Sequence, residues 1–547
     1  MPDTLRLMIG KVFVAASAAV MALAADLHIS SENIRANVKY LASDELEGRG
    51  VGTRGEKLAT DYIASQLKLE GLQPGGDNRT YFQTVPMVGC ATLPNATLTI
   101  SNKRGKIPLT WLKDYVGNPR SQQPQNNFDA EAVFVGHGIS APEFGWDDYK
   151  GMDVKGKVLI YFTNEPPSDD PAFFAGPALT YYGRWTYKYE EAARRGAIAA
   201  LIIHTTPTAG YGWNVVSGSN AREQAQLRLK PGERGLKFAG WLTEAAGAKL
   251  VGSTGKTIPQ LLDMANQKSF HPIPLGVHIV GHIPVKLRDI ESRNVIGRVD
   301  GADSQLKTQA VLFTAHWDHL GIGVPVNGDK IYNGAVDNAT GCAMVLEIAR
   351  VWAALPLKPK RSALFVFVTA EELGLLGSEY YGEHPEVPAG QTAADLNFDA
   401  FYPFGKTRDV LVTGAERTTL WPLVERDAKR LNLEIAPDPE PNQGHYYRSD
   451  HFSLARVGIP SFSIAAGRKY AGKPPDFGKT VFEDYNNKHY HQPSDEYHED
   501  WDFASMEQMA TFGFTLGLDI ANTPKLPTWK AGDEFLPARE KSGVSGQ

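Results

Sequence analysis

Seven side chains able to bind a metal ion or move a proton stand in the second half of the chain, most of them directly after apolar runs. They are His316, Asp318, Asp337, Glu371, Glu372, Asp399 and His491. His316 and Asp318 follow AVLFTA, the paired glutamates follow LFVFVTA, and Asp399 follows DLNF. Asp337 lies in the loop NGAVDNATG, and His491 lies in HYHQPSDEY. Repetition at the ends of successive apolar segments predicts one shared site.

The residue types in this set favour a hydrolytic site with two divalent cations. A lone histidine at a strand end is more often a hydrogen-bonded structural group, and adjacent glutamates are more often a solvated face. Imidazole and carboxylate nevertheless hold divalent ions in hydrolases, and two ions about 3.5–4 Å apart need a carboxylate that bridges them. Clustered carboxylates also require cations, because like charges so close together cannot all ionise alone.

The apolar runs alternate with helical segments from Arg293 onward. The predicted strands are QAVLFTAH, SALFVFVTAEE, DLNFDAF, DVLVTGA and PSFSIAA, and the predicted helices are TGCAMVLEIARVWAAL and TTLWPLVERDAKRLNL. Such alternation indicates an α/β sheet buried on both faces, here a three-layer α/β/α fold with a mixed, mostly parallel sheet. Ligands of these sheets bind beyond the carboxyl ends of the strands, where the polar residues fall.

The first residues predict export. Residues 1–24 contain basic Arg6 and Lys11, an apolar run too short for a comfortable membrane span, and the small-residue pattern Ala22-Leu23-Ala24. This layout is typical of a cleavable secretory signal, so we expect a secreted or periplasmic protein with no integral span after signal removal.

Composition excludes some functions. A formal net charge of −6 on 547 residues gives no reason to expect a nucleic-acid partner. Cys90 and Cys342 are the only cysteines, so neither a disulfide framework nor a cysteine-based zinc site is expected. The sequence does not specify an oligomeric state.

The ordered series H-x-D, D-N-A-T-G, E-E, D and Y-H-x-x-x-D resembles metallopeptidase family twenty-eight. The similarity begins near LASDELEGRGVGTRG and runs to the loop after His491. FVGHGI, DVKGKVLIYF and AARRGAIAALIIH resemble the protease-associated (PA) domain, a β-rich module inserted in several peptidases. The resemblance therefore implies a first part of the peptidase domain at 25–114, an inserted PA domain at 115–285 and a di-zinc peptidase domain at 286–530. The signal occupies 1–24, and the polar tail 531–547 is expected to be mostly unstructured past about 535.

The resemblance also assigns roles. Asp337 would bridge two Zn²⁺ ions, with His316 and Asp399 completing one site and Glu372 and His491 the other. Glu371 would be the general base. Asp318 would orient His316 through the free ring nitrogen. Two roles are less specific: Tyr446, four residues before Asp450, would donate to the oxyanion or be an ordinary loop aromatic, and His489 would compete with His491 as ligand.

The resemblance implies an aminopeptidase acting on peptides, since an acidic, metal-rich pocket suits a free α-amine. Three alternatives remain open on the same scaffold. A carboxypeptidase would need basic side chains for the substrate carboxylate, and Arg448 and Arg468 lie in loops that could supply them. A glutaminyl cyclase would not need a complete second metal site, and a receptor-like binding protein would not need Glu371.

Overall fold

The computed structural model describes residues 28–103, 105–209 and 212–545. The predicted signal, residues 1–24, lies outside these ranges. Within them, no helix is both long enough and apolar enough to traverse a bilayer. The chain folds as two units. Unit one contains the residues up to Val85, Ser292–Asp438 and the residues from Ser449 onward, and unit two contains Pro86–Glu291 with Pro439–Arg448.

The strands and helices are numbered here in chain order. The strands are β1 (Gln73–Pro74), β2 (Phe82–Thr92), β3 (Thr97–Asn102), β4 (Gly105–Leu109), β5 (Tyr115–Asn118), β6 (Gln125–Phe134), β7 (Ser140–Ala141), β8 (Trp146–Asp147), β9 (Val158–Phe162), β10 (Ala199–Ile203), β11 (Gln224–Leu227), β12 (Phe238–Leu242), β13 (Ile273–Val299), β14 (Ala310–His316), β15 (Gly321–Val326), β16 (Asp329–Tyr332), β17 (Ser362–Val368), β18 (Thr392–Phe398), β19 (Asp409–Thr413), β20 (Glu434–Ile435) and β21 (Ser461–Ala466). The α-helices are α1 (Ser31–Leu41), α2 (Arg54–Leu69), α3 (Trp185–Arg194), α4 (Thr206–Ala209), α5 (Trp213–Asn220), α6 (Glu244–Val251), α7 (Ile258–Ala265), α8 (Thr340–Ala354), α9 (Leu376–Glu383), α10 (Trp421–Arg430), α11 (His451–Arg456), α12 (Phe477–Lys488), α13 (Ala504–Ala521) and α14 (Leu536–Lys541).

Unit one is built on a mostly parallel sheet. Its strands lie in the order β1–β13–β17–β14–β18–β21–β19–β20. The central strands β17, β14, β18 and β21 run parallel to one another, and β13 and β19 pair antiparallel at their flanks. The register of β14 on β17 sets His316 opposite Val368. The carboxyl ends of the central strands therefore meet at one edge of the sheet.

Helices cover both faces of this sheet, which confirms the predicted three-layer α/β/α fold. Successive residues of β14 point to opposite faces because side chains alternate along a strand. Val311 and Phe313 lie in a buried cluster with residues of α1, α2, α8 and α13. Leu312 lies in a second buried cluster with Tyr381 of α9 and Leu454 of α11. Burial on both faces explains why the central strands are almost continuously apolar.

Unit two contains its own sheet, in the order β4–β3–β13–β6–β9–β10–β12–β5. Strands β6, β9, β10 and β12 run parallel, and β11 pairs antiparallel with β2. On one face, Tyr161 packs in a cluster with Tyr189 of α3. On the other, Ile160 packs in a cluster with residues of α6 and α7. This unit thus has a hydrophobic core of its own.

The C-terminal residues contain helix α14, so the expectation of little structure past about residue 535 is wrong. The reason is Arg539, whose side chain is fully buried. Its guanidinium donates to the backbone carbonyls of Pro527, Thr392 and Ala389. A buried guanidinium is stable only when its N–H groups find acceptors, and here those acceptors attach the C-terminal segment to unit one.

Candidate metal centre

The carboxyl ends of three neighbouring strands supply four of the predicted residues. His316 is the last residue of β14, and Asp399 comes directly after β18. Glu371 and Glu372 follow shortly after the end of β17. Because these strands are parallel neighbours, their polar residues collect at the same edge of the sheet.

Two loops bring the remaining predicted donors to this edge. Asp337 lies just before α8, and His491 lies just after α12. Asp495 joins the two loops, because its carboxylate accepts the backbone N–H of Val336 at 2.9 Å and of Asp337 at 3.1 Å. The Tyr485 hydroxyl of α12 donates to the same carboxylate at 2.9 Å. Asp495 is the aspartate of the Y-H-x-x-x-D motif, and it positions the Asp337 loop.

His316, Asp337 and Asp399 form the first donor group, with one ligand atom of each within 4.8 Å of the others. His316 Nε2 lies 3.2 Å from Asp337 Oδ1 and 3.3 Å from Asp399 Oδ1. The other ring nitrogen, Nδ1, lies 3.1 Å from the backbone oxygen of Asp318 and 3.9 Å from its carboxylate. The ring is therefore oriented mainly by the carbonyl of Asp318, which leaves Nε2 as the ligand atom. The Ser449 hydroxyl donates to the second oxygen of Asp399 at 2.6 Å.

The second donor group contains Glu372, Asp337 and two histidines. One ligand atom each of His319, Asp337 and Glu372 lies within 4.8 Å of the others. His491 Nε2 lies 3.0 Å from Glu372 Oε2 and 3.4 Å from Asp337 Oδ2. Asp337 is common to both groups, with Oδ1 towards His316 and Oδ2 towards His491. A carboxylate with one oxygen in each group is what a pair of ions requires.

The sequence reasoning missed His319. The available signal was HWDH, which sets a second histidine three residues after His316 at the same strand end. The sequence instead suggests His489 as a competing ligand, but its Nδ1 lies 3.0 Å from Ser494 Oγ and its Nε2 lies 3.7 Å from Asp484. Those contacts direct His489 away from the donor groups.

Several donor atoms of the second group have no hydrogen-bond partner among the residues that the structure describes. They are Glu372 Oε1, both ring nitrogens of His319, and His491 Nε2. Buried polar atoms are nearly always paired, and an unpaired one costs about 1–3 kcal/mol. Imidazole nitrogen and carboxylate oxygen are also the donors that zinc and similar divalent cations take. The residues present therefore fit two cations that share Asp337.

Glu371 lies beside both donor groups and belongs to neither. Its backbone N–H donates to Asp318 Oδ1 at 3.1 Å, which fixes the start of the Glu371-Glu372 turn. Burial raises the pKa of the Glu371 carboxyl well above its usual range; His316 opposes this rise, and the carboxylates of Glu372 and Asp399 add to it. A carboxyl with a raised pKa next to a metal centre is suited to accept and return a proton.

Two tyrosines near the predicted motifs in the sequence, Tyr446 and Tyr490, belong to different units. Tyr446 is buried in the 3₁₀ turn His445–Arg448, which belongs to unit two, and its role as an oxyanion donor stays a prediction. Tyr490 belongs to unit one, and its ring stacks on His491 with 3.9 Å between centroids. The stacking braces His491 at the surface side of the second group.

The part of the chain that contains the two donor groups matches a known protein family. Residues 294–512 match the model of Peptidase family M28. Residues 294–512 therefore form a domain of this family. The M28 domain includes every residue of both donor groups and Glu371. The family and the donor groups together make the chain a metallo-exopeptidase, which is a hydrolase.

Named relatives of the chain include both aminopeptidases and carboxypeptidases. Carboxypeptidase Q of Xenopus laevis is 22% identical over 393 residues, which are 69% of this chain and 68% of that protein. The probable lipoprotein aminopeptidase LpqL of Mycobacterium tuberculosis is 23% identical over 499 residues, 88% of this chain and 83% of that protein. Aminopeptidase YwaD of Bacillus subtilis is 30% identical over 176 residues, 28% of this chain and 35% of that protein.

Among solved structures, the aminopeptidase from Aneurinibacillus sp. strain AM-1 matches 92% of this chain and 96% of its own, with 20% identity and a TM-score of 0.49.

Proposed function

We propose that the chain is a two-zinc aminopeptidase that hydrolyses the N-terminal peptide bond of peptides. The observation that carries the proposal is the geometry of Asp337, whose two oxygens face two separate donor groups. The first group adds His316 and Asp399, and the second adds Glu372 and His491. Zinc suits this mixture of imidazole and carboxylate without a thiolate.

In this proposal, the bound zinc ions supply Lewis acidity, which lowers the pKa of water and polarises the scissile carbonyl. Glu371 accepts the proton of the attacking water at its carboxylate and then delivers it to the nitrogen of the leaving amine. Asp318 keeps Glu371 in place through the backbone N–H, and Asp495 keeps Asp337 in place by the same kind of bond.

The proposal also states which end of the peptide is cleaved, the N-terminus. The relatives LpqL and YwaD carry the name aminopeptidase. Carboxylates that remain around the metal centre suit a protonated α-amine, which they would meet by a charge-assisted hydrogen bond. The match to carboxypeptidase Q favours carboxypeptidase activity as the second candidate. We also propose that residues 1–24 direct export to the periplasm or the exterior.

Hydrolysis of defined substrates tests the proposal. The purified chain is given aminoacyl-arylamides, their N-acetylated counterparts, and N-blocked peptides with a free C-terminus, each with and without a chelator. We expect chelator-sensitive release from free-amine substrates alone. Release from N-blocked peptides would move the assignment to carboxypeptidase. No hydrolysis of any substrate by the zinc-loaded chain would contradict an exopeptidase function.

A further inference from the structure

His319 lies in the second donor group, and no hydrogen bond to a described residue accounts for the position of its ring. It follows β14 closely, and its side chain is fully buried. Its Nδ1 lies 2.6 Å from Glu372 Oε1, and its ring centroid lies 5.6 Å from that of His491. Two imidazoles therefore face Glu372, one from the interior and one from the surface side.

The contact between His319 and Glu372 is close without being a hydrogen bond. Neither His319 ring nitrogen nor Glu372 Oε1 has a hydrogen-bond partner among the described residues, because the N–H direction does not point at the oxygen. Donor atoms without a hydrogen bond are available to a cation, and zinc takes both imidazole nitrogen and carboxylate oxygen as ligands. A neutral buried histidine in an ordinary core would instead place its N–H on an acceptor.

The backbone around His319 is fixed by Arg49. The Arg49 guanidinium is buried and donates to the carbonyl of Trp317 at 2.7 Å, of Asn333 at 2.6 Å and of Gly334 at 2.9 Å. These carbonyls lie on both sides of the β15–β16 hairpin, so one side chain holds the segment of His319 against the segment that leads to Asp337. A residue so constrained is preorganised for a ligand that needs a fixed geometry.

We propose that His319 is a fourth protein ligand at the position formed by Asp337, Glu372 and His491. The inference rests on the proposed two-zinc function. It makes the two positions unequal: the second has four protein donors, as closed structural zinc sites do, whereas the first, with His316, Asp337 and Asp399, has three and keeps a place for water or substrate. The second position then binds zinc more tightly than the first.

Zinc binding by the full chain tests this inference. Metal-free wild type, His319→Gln and the matched control His489→Gln are titrated with zinc, and the two dissociation constants are measured by competition with a chelating dye. We expect His319→Gln to weaken the tighter site by more than about a hundredfold, beyond the effect of losing a supporting residue. His489→Gln should leave both constants unchanged, and circular dichroism of each metal-free variant reports folding.

X-ray absorption of the wild type gives a readout that needs no variant. With two zinc ions bound, we expect three imidazoles shared by two ions; two imidazoles, one for each ion, would overturn the inference. Unchanged zinc constants in a folded His319→Gln variant would overturn it as well. If the wild type binds zinc and hydrolyses peptides, the proposed function stands whichever result is found for His319. If the wild type binds no zinc, both the inference about His319 and the proposed function are overturned.

Discussion

The backbone N–H of Glu371 is fixed by Asp318, and its carboxyl is a ligand in neither donor group. We therefore expect Glu371→Gln to lower kcat by about a hundred- to ten-thousandfold, because the amide cannot accept the proton of the attacking water. Zinc content should stay at the wild-type value. Steady-state hydrolysis and elemental analysis of the same preparation measure the two quantities.

The matched control for this variant is Glu379→Gln on helix α9, where the carboxylate is partly exposed. It should retain wild-type kcat. A Glu371→Gln variant that loses zinc in parallel with activity would show that Glu371 is a ligand and would contradict its assignment as the base.

His137 in unit two gives a pH dependence separate from the metal centre. Its Nε2 lies 2.8 Å from Asn266 Oδ1, and burial lowers its pKa to about 4. The unfolded chain takes up a proton below about pH 6.5, whereas the folded chain does so only near pH 4. The contribution to the free energy of unfolding is therefore present above about pH 6.5 and is lost as the pH falls towards 4.

Thermal unfolding between pH 7 and pH 4 measures this effect. We expect His137→Gln to lower the melting temperature at pH 7 and to reduce its further fall on acidification. His271, an exposed histidine of the same unit, provides the control His271→Gln, which should follow the wild-type pH dependence. Equal pH dependence in all three proteins would exclude His137 as the group responsible.

At the scale of residues, the sequence predicted the donors that end apolar strands or stand in the family motifs. His316, Asp399 and Glu372 lie at or just after the carboxyl ends of neighbouring parallel strands, and the alternation of apolar strands with helices predicts such strand ends. His319 was missed since its burial depends on Arg49, which lies far away in the chain, and no local pattern reveals that contact. The role of Asp318 was predicted through its carboxylate, yet its backbone carbonyl is the closer contact to His316.

The hairpin of β15 and β16 is the element that separates His319 from Asp337, and Gly334 ends it in a left-handed conformation with φ 60°. A Cβ at Gly334 would overlap the carbonyl oxygen of Asp337 and lie 2.5 Å from His319 Cγ. We expect Gly334→Ala to lower both zinc content and melting temperature, because the methyl group displaces both donors. Elemental analysis and calorimetry measure these changes.

Gly328 at the turn of the same hairpin is the matched control. It also has a positive φ, 93°, but a Cβ there meets nothing within 4 Å. Gly328→Ala therefore carries the backbone cost alone, about 1–2 kcal/mol. If the two variants behave alike, the close approach at Gly334 has no effect on the metal centre.

Elements were predictable where their pattern is local and long. The central strands are almost continuously apolar and helix α10 carries periodic apolar positions, and the structure contains each of them. Helix α14 has six residues and was not predicted, because its stability comes from acceptors that Arg539 finds on distant segments. The grouping of Pro439–Arg448 with unit two is likewise a tertiary property with no local sequence signal.

Removal of the metal ions from the whole molecule leaves the buried carboxyls around the metal centre without cations to neutralise them. Burial raises the pKa of Asp318 to about 8 and of Asp450 to about 7. A carboxyl whose folded pKa is raised destabilises the fold as the pH climbs from its unfolded value, near 4, to the folded value. We expect the chelated chain to melt at a lower temperature than the zinc-loaded chain, with a larger difference at pH 8 than at pH 6. A difference independent of pH would contradict this origin.

The donors of the metal centre extend from His316 to His491, and only His316 and His319 are near one another in the sequence. Bringing such distant residues together is slow, since loop closure must precede the contacts that reward it. We therefore expect the unfolded chain to offer zinc no complete site and the ion to enter after the sheet has formed. Zinc should slow the rate of unfolding while leaving the rate of refolding nearly unchanged, which stopped-flow fluorescence at several zinc concentrations would measure.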